Sequence, residues 1–307
     1  MLNALTIDVE DYFQVTAFER QIKPHEWDTF PLRVEGNTLR ILDMLDEFSV
    51  RATFFILGWV AERLPALVRE IQRRGHEIAC HGYGHQLIYR LSPQAFRDDV
   101  SKAKSILEDI SGEPVYGYRA PSYSITAKSL WALDVLVEEG FTYDSSIFPI
   151  THDIYGIAGG KRFPHDVLTH AGTIREFPIS TFAVKAGGWK TNVPIAGGGY
   201  LRLFPVSLVT KAIQTINSGE QQPAIVYFHP WEIDPQQPRI RTGIKSRFRH
   251  YLNLGRMESK IRYLLKRLSF STAQECLDAK TPSCLSYKRV SPARSADLLH
   301  TMHKRGA

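Results

Sequence analysis

Short apolar runs alternate along this chain with longer stretches of helical period. The runs at residues 4–9, 52–57, 77–80, 115–119, 143–145, 175–178 and 224–228 are brief and rich in β-formers, so each predicts a strand. Between them, apolar residues recur at spacings of three and four. Residues 37–48 put Leu39, Leu42, Met44 and Leu45 on one side of a predicted helix. A second predicted helix, 60–74, stops at Gly75, and a third opens with Ser92 as cap and Pro93 in its first turn and runs to Ile110. Two more run from Thr126 or Lys128 to Glu139 and over 207–217, closing at Gly140 and near Gly219. Trp131 falls among Leu130, Leu133, Val135 and Leu136 and reads as core. The alternation predicts an α/β fold with a mostly parallel sheet, a distorted (β/α) barrel of about seven strands.

Composition narrows this little. The chain has 307 residues, 43% hydrophobic and 23% charged, which suits a globular protein of one large α/β domain or two ordinary ones. The three cysteines, Cys80, Cys276 and Cys284, are odd in number and far apart, which argues against a disulfide framework and for a reducing compartment. The first residues run directly into a strand with acids behind it, and no run reaches the roughly 18 apolar residues of a membrane span. The expectation is a cytoplasmic protein.

Charge changes the picture more. The net charge is +6, yet ten Lys or Arg stand against one acid between Arg239 and Arg267. The expected organisation is a barrel over 1–232, a basic helical C-terminal extension over 233–280 packed on it, and a poorly ordered tail over 281–307. The basic stretch suits peripheral contact with an anionic membrane, or is simply a solvated helix face. No nucleic-acid motif accompanies it. The glycine-rich segment from Gly187 to Tyr200 lacks the Lys-Ser/Thr of a phosphate loop and reads as a flexible rim.

The polar clusters share one end of the predicted strands. Asp8, Glu10 and Asp11 follow the first, His81 and His85 the third, Arg119 the fourth, Asp144 the fifth and His229 the last. In barrels of this type the chemistry sits at the C-terminal strand ends. Two imidazoles, a carboxylate and a spare carboxylate are what a catalytic divalent metal requires. Gly82 and Gly84 argue for a tight loop that turns both histidines toward one ion.

The ordered set Thr6-Ile7-Asp8-Val9-Glu10-Asp11, His81-x3-His85, Arg119-Ala120-Pro121-Ser122, Asp144 and Tyr227-Phe228-His229 resembles the motifs of the NodB-type polysaccharide deacetylases, carbohydrate esterase family 4. The strings Asp8-Val9-Glu10-Asp11-Tyr12-Phe13 and Phe228-His229-Pro230-Trp231-Glu232 are similar to a subgroup associated with exopolysaccharide and exosortase loci. The resemblance implies the NodB homology fold and a hydrolase that removes N-acetyl groups from N-acetylhexosamine units of a polysaccharide or lipid-linked saccharide. It implies Asp8 as general base, His81 and His85 as metal ligands, Arg119 holding the base, His229 as general acid and Asp144 orienting that histidine. The expected cofactor is a divalent metal, zinc or another first-row ion. For the metal carboxylate, Glu10 shares a strand face with Asp8, while Asp11 supplies the family's usual residue type if the chain turns after Val9. Both stay open, with Asp11 preferred. This departure from the family's adjacent aspartates leaves a metal-independent amidohydrolase as an alternative, and a non-catalytic glycan-binding barrel as another. Tyr227 replaces the usual leucine two before the histidine. Trp189, Tyr200 and Trp231 are candidates to stack on sugar rings or to fill core.

Overall fold

The computed structural model describes residues 1–152, 155–186, 189–195 and 197–279, without the side chains of 185–190. The expected tail, Cys284 and the side chain of Trp189 lie outside the described residues. In chain order the strands are β1 (Leu2–Val9), β2 (Thr53–Ile56), β3 (Glu77–Cys80), β4 (Gly117–Tyr118), β5 (Tyr143–Asp144), β6 (His165–Leu168), β7 (Thr173–Glu176), β8 (Thr181–Ala186), β9 (Trp189–Pro194), β10 (Ile225–Phe228) and β11 (Ser269–Ser271). The helices are α1 (Val34–Glu47), α2 (Gly58–Arg63), α3 (Pro65–Arg73), α4 (Pro93–Ser111), α5 (Trp131–Glu138), α6 (Gly198–Leu203), α7 (Val206–Gly219), α8 (Ile244–Tyr251), α9 (Met257–Leu265) and α10 (Ala273–Asp278).

All seven expected strands form, in one sheet ordered β10-β1-β2-β3-β4-β5-β7-β6. Every ladder in it is parallel except β6 with β7. Among the described residues no ladder joins β6 to β10, so the barrel has a seam there. Ser180 crosses part of it, its hydroxyl accepting the Ile225 N–H at 2.8 Å. The hairpin β8–β9 stands apart as a second sheet. Sequence reading missed this hairpin because the glycines that punctuate 187–199 suggested a loop throughout.

Side-chain alternation divides the core in two, as period-two strands require. Leu5, Ile7, Val9, Phe54, Ile56, Val226 and Phe228 face the helices. Ala4, Phe55, Ala79, Tyr143, Ile225 and Tyr227 face the barrel interior. Asp8 shares the parity of Ala4 and faces inward. Asp144 follows the inward Tyr143 and so faces outward, which decides its role below.

Helix boundaries follow local chemistry. Ser92 caps α4 by accepting the Ala95 N–H, and Gly112, at φ 72°, ends it. The single helix expected over 60–74 is two, α2 and α3, because Pro65 has no N–H to continue the ladder and starts α3.

The last elements return to the first. β11 pairs with Leu2–Ala4 of β1 on the side that β2 occupies further along. The α10 residues Ala273, Cys276 and Leu277 then join the interior cluster with Ala4 and Phe55, plugging the barrel at the N-terminal strand ends. The Ala273 N–H donates to Thr53 Oγ1 at 2.7 Å, and Arg175 Nη1 to the Leu277 carbonyl at 3.3 Å. Cys80 and Cys276 are free and buried.

Candidate active site

A cavity of about 880 Å³ opens at the C-terminal strand ends, with Asp8, Glu10, His81, His85 and His229 in its lining. The inward parity of β1 carries Asp8 and Glu10 to its floor together. Arg119, fully buried, organises that floor. Its Nη1 donates to Asp8 Oδ1 at 2.6 Å and to Thr6 Oγ1 at 2.7 Å. Its Nη2 donates to Ser145 Oγ at 2.9 Å and its Nε to the Ser145 carbonyl at 3.2 Å. Asp8 is thereby fixed by a charge-assisted bond in a dry setting. The Arg119 carbonyl lies 2.7 Å from His81 Nδ1. A carbonyl can only accept, so Nδ1 carries the proton and His81 Nε2 keeps its lone pair for the cavity.

Glu10, His81 and His85 offer ligand atoms all within 4.8 Å of one another. Glu10 Oε2 is buried without a hydrogen-bond donor and lies 2.6 Å from His85 Nε2. Glu10 Oε1 accepts the Trp231 indole N–H at 3.1 Å. Burial pulls His81 down to about 4, against the raising pull of Asp8, so its ring is neutral as ligation requires. Burial pushes Glu10 up, but His85 and His229 outweigh it and hold the carboxyl far below its ordinary value. An orphaned carboxylate oxygen beside two imidazoles, one with a settled tautomer, fits a divalent cation.

The loop that carries the histidines is held by Asp99 of α4. Its carboxylate accepts the N–H of Tyr83 at 2.8 Å and of Gly84 at 3.1 Å. Gly82 has φ 72°, and a Cβ there would stand 2.8 Å from Asp99 Oδ2, so both backbone hand and space require glycine. His85 also has positive φ, 51°. Asp99 lies too far along the chain for spacing alone to suggest this partnership.

Two expectations are corrected by the geometry. Asp11, preferred as the metal carboxylate, points away from the cluster. Its Oδ2 accepts the N–H of Arg33 at 2.7 Å and of Val34 at 2.9 Å, and its Oδ1 that of Tyr12 at 2.9 Å. It caps the start of α1, where orphan N–H groups and the helix dipole favour a carboxylate. Burial raises it to about 6 against those three bonds. Asp144, expected to orient His229, lies on the outward face of β5. It accepts the Ser146 hydroxyl at 2.5 Å and the Ser146 N–H at 3.2 Å. Burial raises both Asp144 and its neighbour Glu176, with Asp144 a further cause for Glu176.

The partner of His229 is Glu232, three residues on. Its Oε2 lies 2.9 Å from His229 Nδ1 and accepts the His229 N–H at 3.0 Å. Its Oε1 receives Arg202 Nε at 2.5 Å. The spacing is a capping box across the turn Pro230–Ile233, a signal present in the sequence and passed over. His229 Nε2 then looks across at Glu10 Oε1, 3.6 Å away, and Asp8 Oδ2, 3.9 Å away. Burial pulls His229 down, but Glu10, Glu232 and Asp8 prevail and raise it to about 9. The ring is flanked by Trp231, stacked at 5.1 Å, which in turn stacks on His250 at 4.2 Å. Trp231 is thus a wall of the site, 5% exposed. Tyr227 packs against Gly197, where a Cβ would meet its ring at 2.1 Å. The glycine-rich segment is at this point a close backbone approach.

The arrangement is a (β/α) barrel site in which three residues able to hold a metal ion, an arginine-held carboxylate and an opposed histidine share one cavity. Residues 26–142 match the polysaccharide deacetylase family model, and residues 145–278 match a domain of unknown function (DUF3473). Over residues 26–142 the chain is therefore similar to the polysaccharide deacetylase family. His81, His85 and Arg119 lie in the first match and His229 and Glu232 in the second, while Asp8 and Glu10 precede both. A peptidoglycan deacetylase-like protein of Gibberella zeae is 33% identical over 44% of this chain and 38% of its own length. A peptidoglycan-N-acetylglucosamine deacetylase of Bacillus cereus is 29% identical over 44% of this chain and 51% of its own. The chain thus spans about half or less of these relatives. A solved structure from Mycobacterium smegmatis, provisionally named a polysaccharide deacetylase, matches at 19% identity over 94% of both chains with TM-score 0.59. An allantoinase matches at 12% identity over 92% of both, with TM-score 0.58. At such identities these two structures establish the fold.

Proposed function

We propose that this chain is a metal-dependent N-deacetylase acting on N-acetylhexosamine units of a glycan. The observation that carries the reading is the facing of Asp8 and His229 across one cavity beside the Glu10, His81 and His85 cluster. Glu10, His81 and His85 would hold a divalent ion, which would supply Lewis acidity to an amide carbonyl and to water; we take zinc, which this donor set favours. Asp8, anchored by Arg119, takes a proton from the water whose oxygen attacks the acetyl carbon. As the C–N bond breaks, His229 gives its Nε2 proton to the departing amine, and acetate is left. A carboxylate for the water and a cationic imidazole for the amine are the protonation states this chemistry needs at neutral pH. The named activities of the Gibberella and Bacillus relatives support the acetamide as the target.

The finer reading places the reaction in exopolysaccharide synthesis beside a membrane, on the subgroup resemblance and the basic stretch. Part of that stretch is engaged internally. Arg262 pairs with Glu47 and Glu258, and Lys260 Nζ donates to three carbonyls near α6. Arg239 and Arg267 lie over the rings of Tyr251 and Tyr263. Of the remaining cations, Arg241, Arg247, Arg256 and Lys266 are the ones this reading turns to anionic headgroups.

The test is acetate release from N-acetylglucosamine oligomers together with elemental analysis, wild type beside His81→Ala. Acetate release with a bound first-row ion, both lost in the variant, supports the reading. Turnover by metal-free protein would move it to the metal-independent amidohydrolase.

A further inference from the structure

The outer wall of the cavity is built by α8, and its sequence lays two unlike stripes side by side. Ile244 and Phe248 are one turn apart and stand 86% and 60% exposed. Lys245 and Arg249, also one turn apart, occupy the adjacent stripe. All four line the cavity that holds Glu10, His81 and His85, as does Leu203 at the end of α6, 51% exposed. The side chains of Lys245 and Arg249 make no ion pair or hydrogen bond among the described residues. The helix is not loosely attached. Buried Arg202 donates to the carbonyls of Arg249, His250 and Leu252 at 2.7 to 3.0 Å, and His250 Nε2 lies 2.7 Å from Gln237 Oε1.

A wall that only met sugar hydroxyls would have no use for a bare isoleucine. A wall that only met water would not keep large apolar groups beside unpaired cations. Apolar and cationic stripes in register suit an amphiphile whose anionic head lies between the saccharide and a hydrocarbon chain. We propose that the α8 wall binds the phosphate and the first hydrocarbon units of a prenyl-phosphate carrier, so that the substrate is a saccharide presented on its lipid diphosphate. Lys245 and Arg249 take the phosphates, and Ile244, Phe248 and Leu203 take the chain. The inference rests on the deacetylase reading for what the saccharide undergoes, but the binding of the carrier is a property of α8 and Leu203, apart from the Glu10, His81 and His85 cluster.

The test uses farnesyl diphosphate and inorganic diphosphate as probes, titrated into the full chain by calorimetry. A chelator is present throughout, so that no ion at the Glu10 cluster can capture the phosphates. Farnesyl diphosphate is expected to bind at least tenfold more tightly than inorganic diphosphate. Phe248→Ser removes that difference and leaves inorganic diphosphate unchanged. Lys245→Glu weakens both probes by about tenfold. Equal affinity for the two probes, or farnesyl diphosphate binding indifferent to both substitutions, overturns the proposal. So does α8-dependent binding to phosphatidylglycerol vesicles with no binding of farnesyl diphosphate, which would make the wall a general membrane face. Loss of turnover in the wild type with carrier binding intact would instead count against the deacetylase reading alone.

Discussion

Glu232 grips the imidazole of His229 from three residues away, Oε2 against Nδ1 at 2.9 Å, while its Oε1 receives the Arg202 guanidinium at 2.5 Å. The histidine that faces the cavity is therefore aimed by a carboxylate that is itself locked. Glu232→Gln keeps the shape and removes the charge. It is expected to lower kcat by roughly ten- to a hundredfold, a share of the usual general-acid contribution, with KM and bound metal unchanged. Full kcat in Glu232→Gln would show that His229 needs no such partner.

Glu10 and Asp11 are neighbours with separate tasks. Glu10→Gln is expected to strip the metal and the activity, since its unbonded Oε2 faces His85. Asp11→Asn is expected to retain the metal and lower stability by about 1 kcal/mol through the weakened start of α1. Elemental analysis and thermal melts on the pair separate the two. Metal lost from Asp11→Asn and kept by Glu10→Gln would reverse the assignment.

Acid sensitivity should have a source outside the Glu10, His81 and His85 cluster as well as within it. Burial holds His76 down to about 4 and, with Arg202 adding to it, His250 down to about 3, from an ordinary 6.5. Between those values and 6.5 the unfolded chain binds more protons than the folded one, so stability rises with pH and is lost as pH falls. His76 alone is expected to cost about 2 kcal/mol on going from pH 7 to pH 5. In His76→Gln, where the amide oxygen still accepts the Ala52 N–H that Nδ1 accepts at 3.2 Å, the melting temperature should depend less steeply on pH. An unchanged slope would remove His76 from the account.

Gly197→Ala would drive a methyl into the Tyr227 ring. Overpacking of this kind is expected to destabilise by about 1–3 kcal/mol and to impair turnover, because Tyr227 sits in the cavity wall two residues before His229. Differential scanning calorimetry reads the first effect. A variant as stable as the wild type would mean the segment shifts without strain.

The barrel and most of its working face were legible because both rest on period. Strand runs betrayed the sheet, and polar residues at strand ends gathered Asp8, His81, His85, Arg119 and His229 at one cavity. The same rule, applied one step further, separates the inward Glu10 from Asp11 and turns Asp144 outward after the inward Tyr143. The usual residue type of a family overrode it in both cases. What sequence could not show were partners set by three-dimensional return: Asp99 beneath the histidine loop, Arg202 behind Glu232, and α10 beneath β1. Pro65 was a plain local signal, and the apolar spacing on either side concealed it.

The pairing of Leu2–Ala4 with Ser269–Ser271 has a bearing on how the protein is made. On the ribosome β1 emerges well before its neighbour, since Ser269 follows Leu2 by 267 positions, and the plug beneath it comes later still. Until then part of its edge is bare and open to pairing with another chain. Contacts so distant in sequence slow folding, so the interval before β11 arrives is when a nascent chain most needs a holding chaperone. A fragment released before that point would carry the cavity residues on a barrel left unplugged at its N-terminal strand ends.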